Sequence, residues 1–241
     1  MHLAIYILFG ILPSLIWLFY YLRKDLHPEP KRLILKLFFY GALVTIPVFI
    51  IQSGLTELLD QVKISGILDG FSIIADIIKW FLVIAFVEEL LKYLVVSHVI
   101  LKNSELDEPL DIMLYMVVVA LGFAALENIL YLFSPIDHVY LDKVLESAIT
   151  ISLIRFVGAT FLHTLSSALV GYFLALSSIK PEKRVKLTII GILLASLLHG
   201  LYNFSIIMLA RPMNFIVPLM IVMGLVIFTH YDFDEIKKIK G

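Results

Sequence analysis

The chain of 241 residues is 61% hydrophobic and only 16% charged, with a formal net charge of -1 and no cysteine. So much apolar sequence exceeds what a soluble core buries, and the missing cysteines exclude a disulfide framework, a thiolate metal site and a cysteine nucleophile. The net charge says nothing about nucleic acid; the apolar content makes the lipid bilayer the expected surroundings, and no nucleic-acid partner is expected.

A spanning helix takes about 20 largely apolar residues. Seven segments meet that length, roughly 3–22, 33–51, 72–100, 111–133, 148–177, 187–209 and 214–230. The expected fold is therefore all-α, a polytopic membrane helix bundle of about seven transmembrane helices. It reads as a single transmembrane domain over 1–241 with its catalytic core over about 72–209. The first segment has its basic flank, "RKDLHPEPKR", after it and no small-residue cleavage site, which reads as a retained helix with the N-terminus outside. After the second segment, residues 52–71 read as an external loop with Gly54, Gly66 and Gly70 and a short interfacial helix.

The third segment carries most of the charge. Asp76 and Lys79, three apart beside Trp80, read as a local ion pair with an aromatic anchor at the interface. Deeper in, "AFVEELLKYLVV" sets Glu88, Glu89 and Lys92 into apolar helix. A charge there costs about 2.5–3.5 kcal/mol on insertion scales, so it needs a reason. Glu88 and Lys92 stand four apart on one face, while Glu89 is rotated by about 100° and addresses a neighbouring helix or a water pocket. One lysine does not neutralise two carboxylates, which leaves one of them for proton transfer, the task of a general base.

The fourth segment holds Glu127 and Asn128, the fifth Arg155 and His163, and the sixth His199 and Asn203, again four apart on one face. Glu127 and Arg155 read as a bridge near the outer side; on its own each polar group fits a structural clasp between helices. Several such groups at similar depths on separate helices point instead to one site. The sequon at Asn203 lies inside the sixth helix, where glycosylation is not expected.

Basic residues fix the expected orientation. With the N-terminus outside, Arg23, Lys24, Lys31, Arg32, Lys102, Lys180, Lys183, Arg184, Lys186, Lys237, Lys238 and Lys240 fall on the cytoplasmic side and only Lys63, Lys143 and Arg211 opposite. The expected protein is a multi-pass protein of the plasma membrane with a cytoplasmic C-terminus.

In order and approximate spacing, "EELLK", "GFAALENILY", "RFVGATFLH" and "HGLYN" resemble the motifs of the PrsW family of intramembrane proteases, a family related to the CAAX prenyl proteases and bacteriocin-processing proteins. "HPEPKR" also looks like PrsW sequence, and the resemblance runs from about residue 13 to 204. It implies that Glu88 and Glu89 are the paired catalytic glutamates, that His163 is the histidine of the third motif, and that His199 and Asn203 are the final pair. Glu127 and Asn128 match the Glu-Asn motif, and Lys92 stands one position before the arginine of the prenyl proteases. The substrates this implies are membrane-anchored proteins, anti-sigma factors among them.

Peptide hydrolysis needs an activated water and a stabiliser for the oxyanion. The roles expected are Glu88 as general base with Glu89 as the alternative, His163 to position or protonate, His199 and Asn203 to donate to the oxyanion, and Lys92 to tune the glutamates, with Glu127, Asn128 and Arg155 in support. Ser166 and Ser167 leave a serine route as a minor alternative. No cofactor is expected. Zinc is weighed and set behind a metal-free route because the HExxH pattern is absent. A proton- or ion-coupled transporter is the rival class, but no inverted repeat supports it.

Overall fold

The computed structural model describes residues 2–23, 29–65, 72–100, 106, 108–133 and 141–238. They form α1 (His2–Leu22), α2 (Lys31–Ile64), α3 (Ser72–Ile77), a π-helix (Ile78–Phe86), α4 (Val87–Val99), α5 (Pro109–Leu132), α6 (Leu141–Val157), α7 (Ala159–Ile179), a 3-10 turn (Pro181–Lys183), α8 (Arg184–Met208) and α9 (Met213–Lys238). Among the described residues, six stretches are long and apolar enough to cross a membrane: Leu3–Leu22, Lys31–Ile64, Pro109–Leu132, Val144–Ile179, Pro181–Met208 and Met213–Tyr231. The helical run from α3 through the π-helix to α4 packs among them, so the all-α membrane bundle expected from the sequence is the fold, and this is a multi-pass membrane protein.

At its centre stands α5. Its sequence is apolar on every face, and such a helix is stable only when neighbours cover it all round; every residue from Leu110 to Ala125 is buried. The cover comes from α1, α2, α4 and α7. Two glycines let α2 and α5 touch backbone to backbone: a Cβ on Gly122 would stand 1.9 Å from the Phe38 carbonyl oxygen, and one on Gly41 would stand 2.1 Å from that of Val119. Small residues drive this kind of close crossing in lipid, where apolar side chains gain little from leaving the solvent. The outer faces of α1, α2 and α9 stay apolar and exposed, with Phe19, Phe49, Ile50 and Met220 among them.

Five expectations change. First, the external loop is shorter, because α2 continues past the apolar run to Ile64 and carries Gln52 and Gly54 inside it. Second, the third segment is not one α-helix but α3, a nine-residue π-helix and α4. Third, the fifth segment breaks at Gly158, whose φ of -93° and ψ of -97° separate α6 from α7. A Cβ there would stand 2.7 Å from the Tyr202 hydroxyl and 2.9 Å from the Ile154 carbonyl oxygen, so only glycine lets α8 come this close to the break. Fourth, Asp76 pairs with Lys63 of α2 at 2.8 Å rather than with Lys79, whose ammonium lies 5.8 Å from the Trp80 ring centroid. Fifth, α9 continues through the charged tail to Lys238. Gly66, Gly70, Lys24, Lys102 and Lys240 lie outside the described residues.

Candidate active site

The π-helix hands over to α4 at Val87, and the next two residues are the paired glutamates. They meet different surroundings. Glu89 is wholly buried and saturated with donors: Lys92 Nζ at 2.9 Å, the Ser166 hydroxyl at 3.1 Å and His199 Nδ1 at 3.0 Å on Oε1, and the Ser167 hydroxyl at 3.1 Å on Oε2. The sequence suggested that Glu88 shares a face with Lys92; the lysine instead takes Glu89, because it must also reach His163 Nδ1 at 2.8 Å and the face of Phe123, 4.6 Å from its centroid. Both serines donate to a carboxylate, which leaves neither as an activated nucleophile.

A second polar set lies across the break at Gly158. Glu127 Oε2 accepts from Arg155 Nη2 at 2.6 Å and from His163 Nε2 at 2.9 Å. Arg155 Nε donates to the Asn128 side-chain oxygen, and its guanidinium stacks 3.9 Å from the Tyr131 ring centroid. Asn128 Nδ2 in turn donates to the Gly10 carbonyl at 3.2 Å and to the Thr160 hydroxyl at 3.0 Å, so it ties α1, α5 and α7 together behind the arginine. The expected Glu127–Arg155 bridge is present, and it also holds His163.

These partners set the tautomers. His163 donates from Nε2 to Glu127 and accepts at Nδ1 from Lys92; His199 donates from Nδ1 to Glu89, leaving the Nε2 lone pair free. The two rings meet edge to face with centroids 4.9 Å apart.

Glu88 stands between them. Its Oε1 accepts from Gln52 Nε2 at 2.9 Å, while its buried Oε2 has no hydrogen-bond partner and lies 3.8 Å from both His163 Nδ1 and His199 Nε2. It lines a cavity of about 630 Å³. The lining residues run from Thr45 to Gln52 on α2, Trp80 to Glu88, Phe123 to Tyr131 on α5, Ile154 to His163, and His199 to Ile207 on α8. Along α5 they run from Phe123 to Tyr131 and along α8 from His199 to Ile207, toward the C-terminal ends of both helices. Asn203, one turn along α8 from His199, lines this cavity, as do Tyr202 and Arg155.

The structure thus brings together Glu88, Glu89, Lys92, Glu127, Arg155, His163 and His199, with Asn203 on the wall and Asn128 behind. Sequence reading passed over Gln52, since hydropathy ended the second span one residue before it; an amide at the edge of an apolar run was the available signal.

In kind, the donors suit a divalent ion. Glu88, His163 and His199 offer ligand atoms all within 4.8 Å of one another, and each imidazole is backed by a carboxylate on its far nitrogen, as metal-binding histidines usually are. Their availability is the difficulty. His163 Nδ1 already accepts from the buried Lys92 ammonium at 2.8 Å, and the 3.8 Å separations exceed the roughly 3.3 Å between neighbouring ligands that zinc bonds of about 2.0–2.1 Å give in a tetrahedral site. As arranged, the side chains do not fit a bound dication unless Lys92 leaves.

The sequence model described as PrsW family intramembrane metalloprotease matches residues 29–230. The chain belongs to the PrsW family. Among curated proteins, "Protease PrsW" of Oceanobacillus iheyensis is 32% identical over 195 residues, covering 81% of this chain and 80% of that protein. "Protease PrsW" of Bacillus subtilis is 29% identical over 215 residues, covering 88% and 87%, and that of Geobacillus kaustophilus is 31% identical over 196 residues, covering 81% and 76%. No solved structure matches. The stretch matched to the PrsW family takes in every residue of the site, from Gln52 on α2 to Asn203 on α8.

Proposed function

We propose that this PrsW family member is an intramembrane endopeptidase of glutamate type, which hydrolyses a peptide bond in a membrane-anchored protein with a water activated by Glu88. The observation that carries this reading is the buried, unpartnered Glu88 Oε2, 3.8 Å from two imidazole nitrogens at the floor of the cavity. In this reading a water bridges the polar atoms across that spacing. Glu88 Oε2 and the His199 Nε2 lone pair accept the two hydrogens of that water and leave its oxygen free to attack. As the oxygen bonds to the carbonyl carbon, Glu88 takes the proton. The Asn203 amide donates to the oxyanion, in place of the donor role first expected of His199, whose tautomer leaves Nε2 without a hydrogen. Glu88 then returns the proton to the amine as the C–N bond breaks. The Lys92 ammonium, which donates to His163 Nδ1, keeps a positive charge near the carboxylate throughout.

The lining residues run toward the C-terminal ends of α5 and α8, so access is taken from that end, the one expected outside from the spread of basic residues. A single-pass protein of anti-sigma-factor type, cut within or just outside its span on the extracytoplasmic side, fits that opening. Purified protein mixed with single-pass candidates should give two products whose masses place the cut there. A cut in the cytoplasmic flank would overturn the direction of access, and no cleavage of any candidate by intact protein would count against the protease reading.

A second reading is favoured by the gathered donors and by the family's description as metalloproteases. In it Glu88, His163 and His199 would hold a divalent ion that polarises the carbonyl and acidifies a bound water. Because Lys92 occupies the His163 donor, the expected result is that EDTA or phenanthroline leaves most of the activity intact. Loss on chelation with recovery on added zinc would decide for the metal.

A further inference from the structure

We infer that Gln52, acting with the π-helix that precedes Glu88, is the positioning residue that aims the Glu88 carboxylate into the cavity, an inference that rests on the hydrolytic reading above. Gln52 reaches across from α2 with one amide nitrogen and two acceptors: the Ile84 carbonyl at 3.3 Å and Glu88 Oε1 at 2.9 Å. Both neighbours accept only, so the nitrogen end of the amide must face them and both of its hydrogens are used. With Oε1 held, Oε2 is the oxygen turned toward His163 and His199. Without the amide, nothing on the cavity side distinguishes the two oxygens or fixes the last torsion of the side chain, which is broad in glutamate.

The π-helix supplies the other half of the device. In an α-helix, positions four apart drift by about 40°, so Trp80 and Glu88 would stand about 80° apart around the axis. The wider π turn, closed by i→i+5 bonds, takes more residues per turn and cancels that drift. Trp80, Ile84 and Glu88 accordingly line the same cavity. A nine-residue π-helix is rare, and π insertions are frequent at functional sites. Where it reverts to α-helix, the Ile84 carbonyl accepts from the Val87 amide as well as from Gln52. Gln52 therefore ties the end of the π segment and the glutamate four residues on into one unit.

A carboxylate that turns away from its productive direction costs rate rather than substrate binding. With a single-pass membrane protein that the wild-type chain cleaves, Gln52→Met should lower kcat by about 10–100-fold, with KM within about two-fold and an unchanged melting temperature in detergent. Gln52→Asn, whose shorter amide does not reach both acceptors, should behave alike and carries the test if the methionine variant does not fold. Unchanged kcat in either folded variant overturns the inference, and so does a loss that only follows the folded fraction. If the wild-type chain cleaves nothing, the protease reading falls and this inference with it; if the wild type cleaves and the variants match it, only the role of Gln52 falls.

Discussion

Glu88→Gln is expected to lower turnover by about 10²–10⁴-fold, the range a positioned general base contributes, and to leave the bundle as stable as before. The geometry separates the two effects. Glutamine has the size of glutamate, its carbonyl oxygen can keep the bond from Gln52, and an amide hydrogen can face the free His199 Nε2 lone pair, 3.8 Å from where Oε2 now stands. A buried carboxylate oxygen without a partner is costly, so removing its charge does not destabilise the fold. On the proposed mechanism, what disappears is the acceptor for the water's proton. The check is cleavage of one substrate by wild type and variant at equal folded concentration, with thermal unfolding in detergent followed by circular dichroism. Turnover near the wild-type value in a folded Glu88→Gln protein would remove Glu88 as the base.

The bundle was legible in the sequence because hydropathy reports length, and length sets the spans. The candidate site was legible because ionisable groups are rare at depth, so Glu88, Glu89, His163 and His199 stood out from their surroundings without any knowledge of packing. The features that escaped are those hydropathy does not encode. Gln52 sits where the apolar run ends although the helix does not, so it fell into an apparent loop. The partner of Lys92 was ambiguous because i+3 and i+4 spacings place a side chain equally close on a helix. Only the contact with His163, 71 residues away, selects Glu89. The break at Gly158 depends on the Tyr202 hydroxyl of another helix, and Lys63, the partner of Asp76, lies on a helix continuation the apolar pattern did not show. A nine-residue π-helix of apolar residues has no compositional mark at all.

The neighbouring glutamate should behave in the opposite way. Glu89→Gln is expected to cost about 3–5 kcal/mol of stability, the typical penalty for removing one partner of a buried ion pair. Lys92 is wholly buried, and its ammonium has Glu89 as its carboxylate partner at 2.9 Å. Glu89 also accepts from Ser166, Ser167 and His199, all of them donors, so an amide group would set its own hydrogens against at least one of them. The charge on Lys92 would then lie inside the bundle with only a ring face and an imidazole lone pair to hold it. If the penalty comes from that stranded charge rather than from packing, replacing the pair together as Glu89→Leu with Lys92→Met should recover much of the stability while leaving the protein inactive. Two apolar side chains of similar volume often match or exceed a buried pair. Unfolding of the detergent-solubilised protein by added sodium dodecyl sulfate measures both variants on one scale. A Glu89→Gln protein with wild-type stability and no activity would reverse the assignment, making Glu89 the residue that meets the water and Glu88 its support.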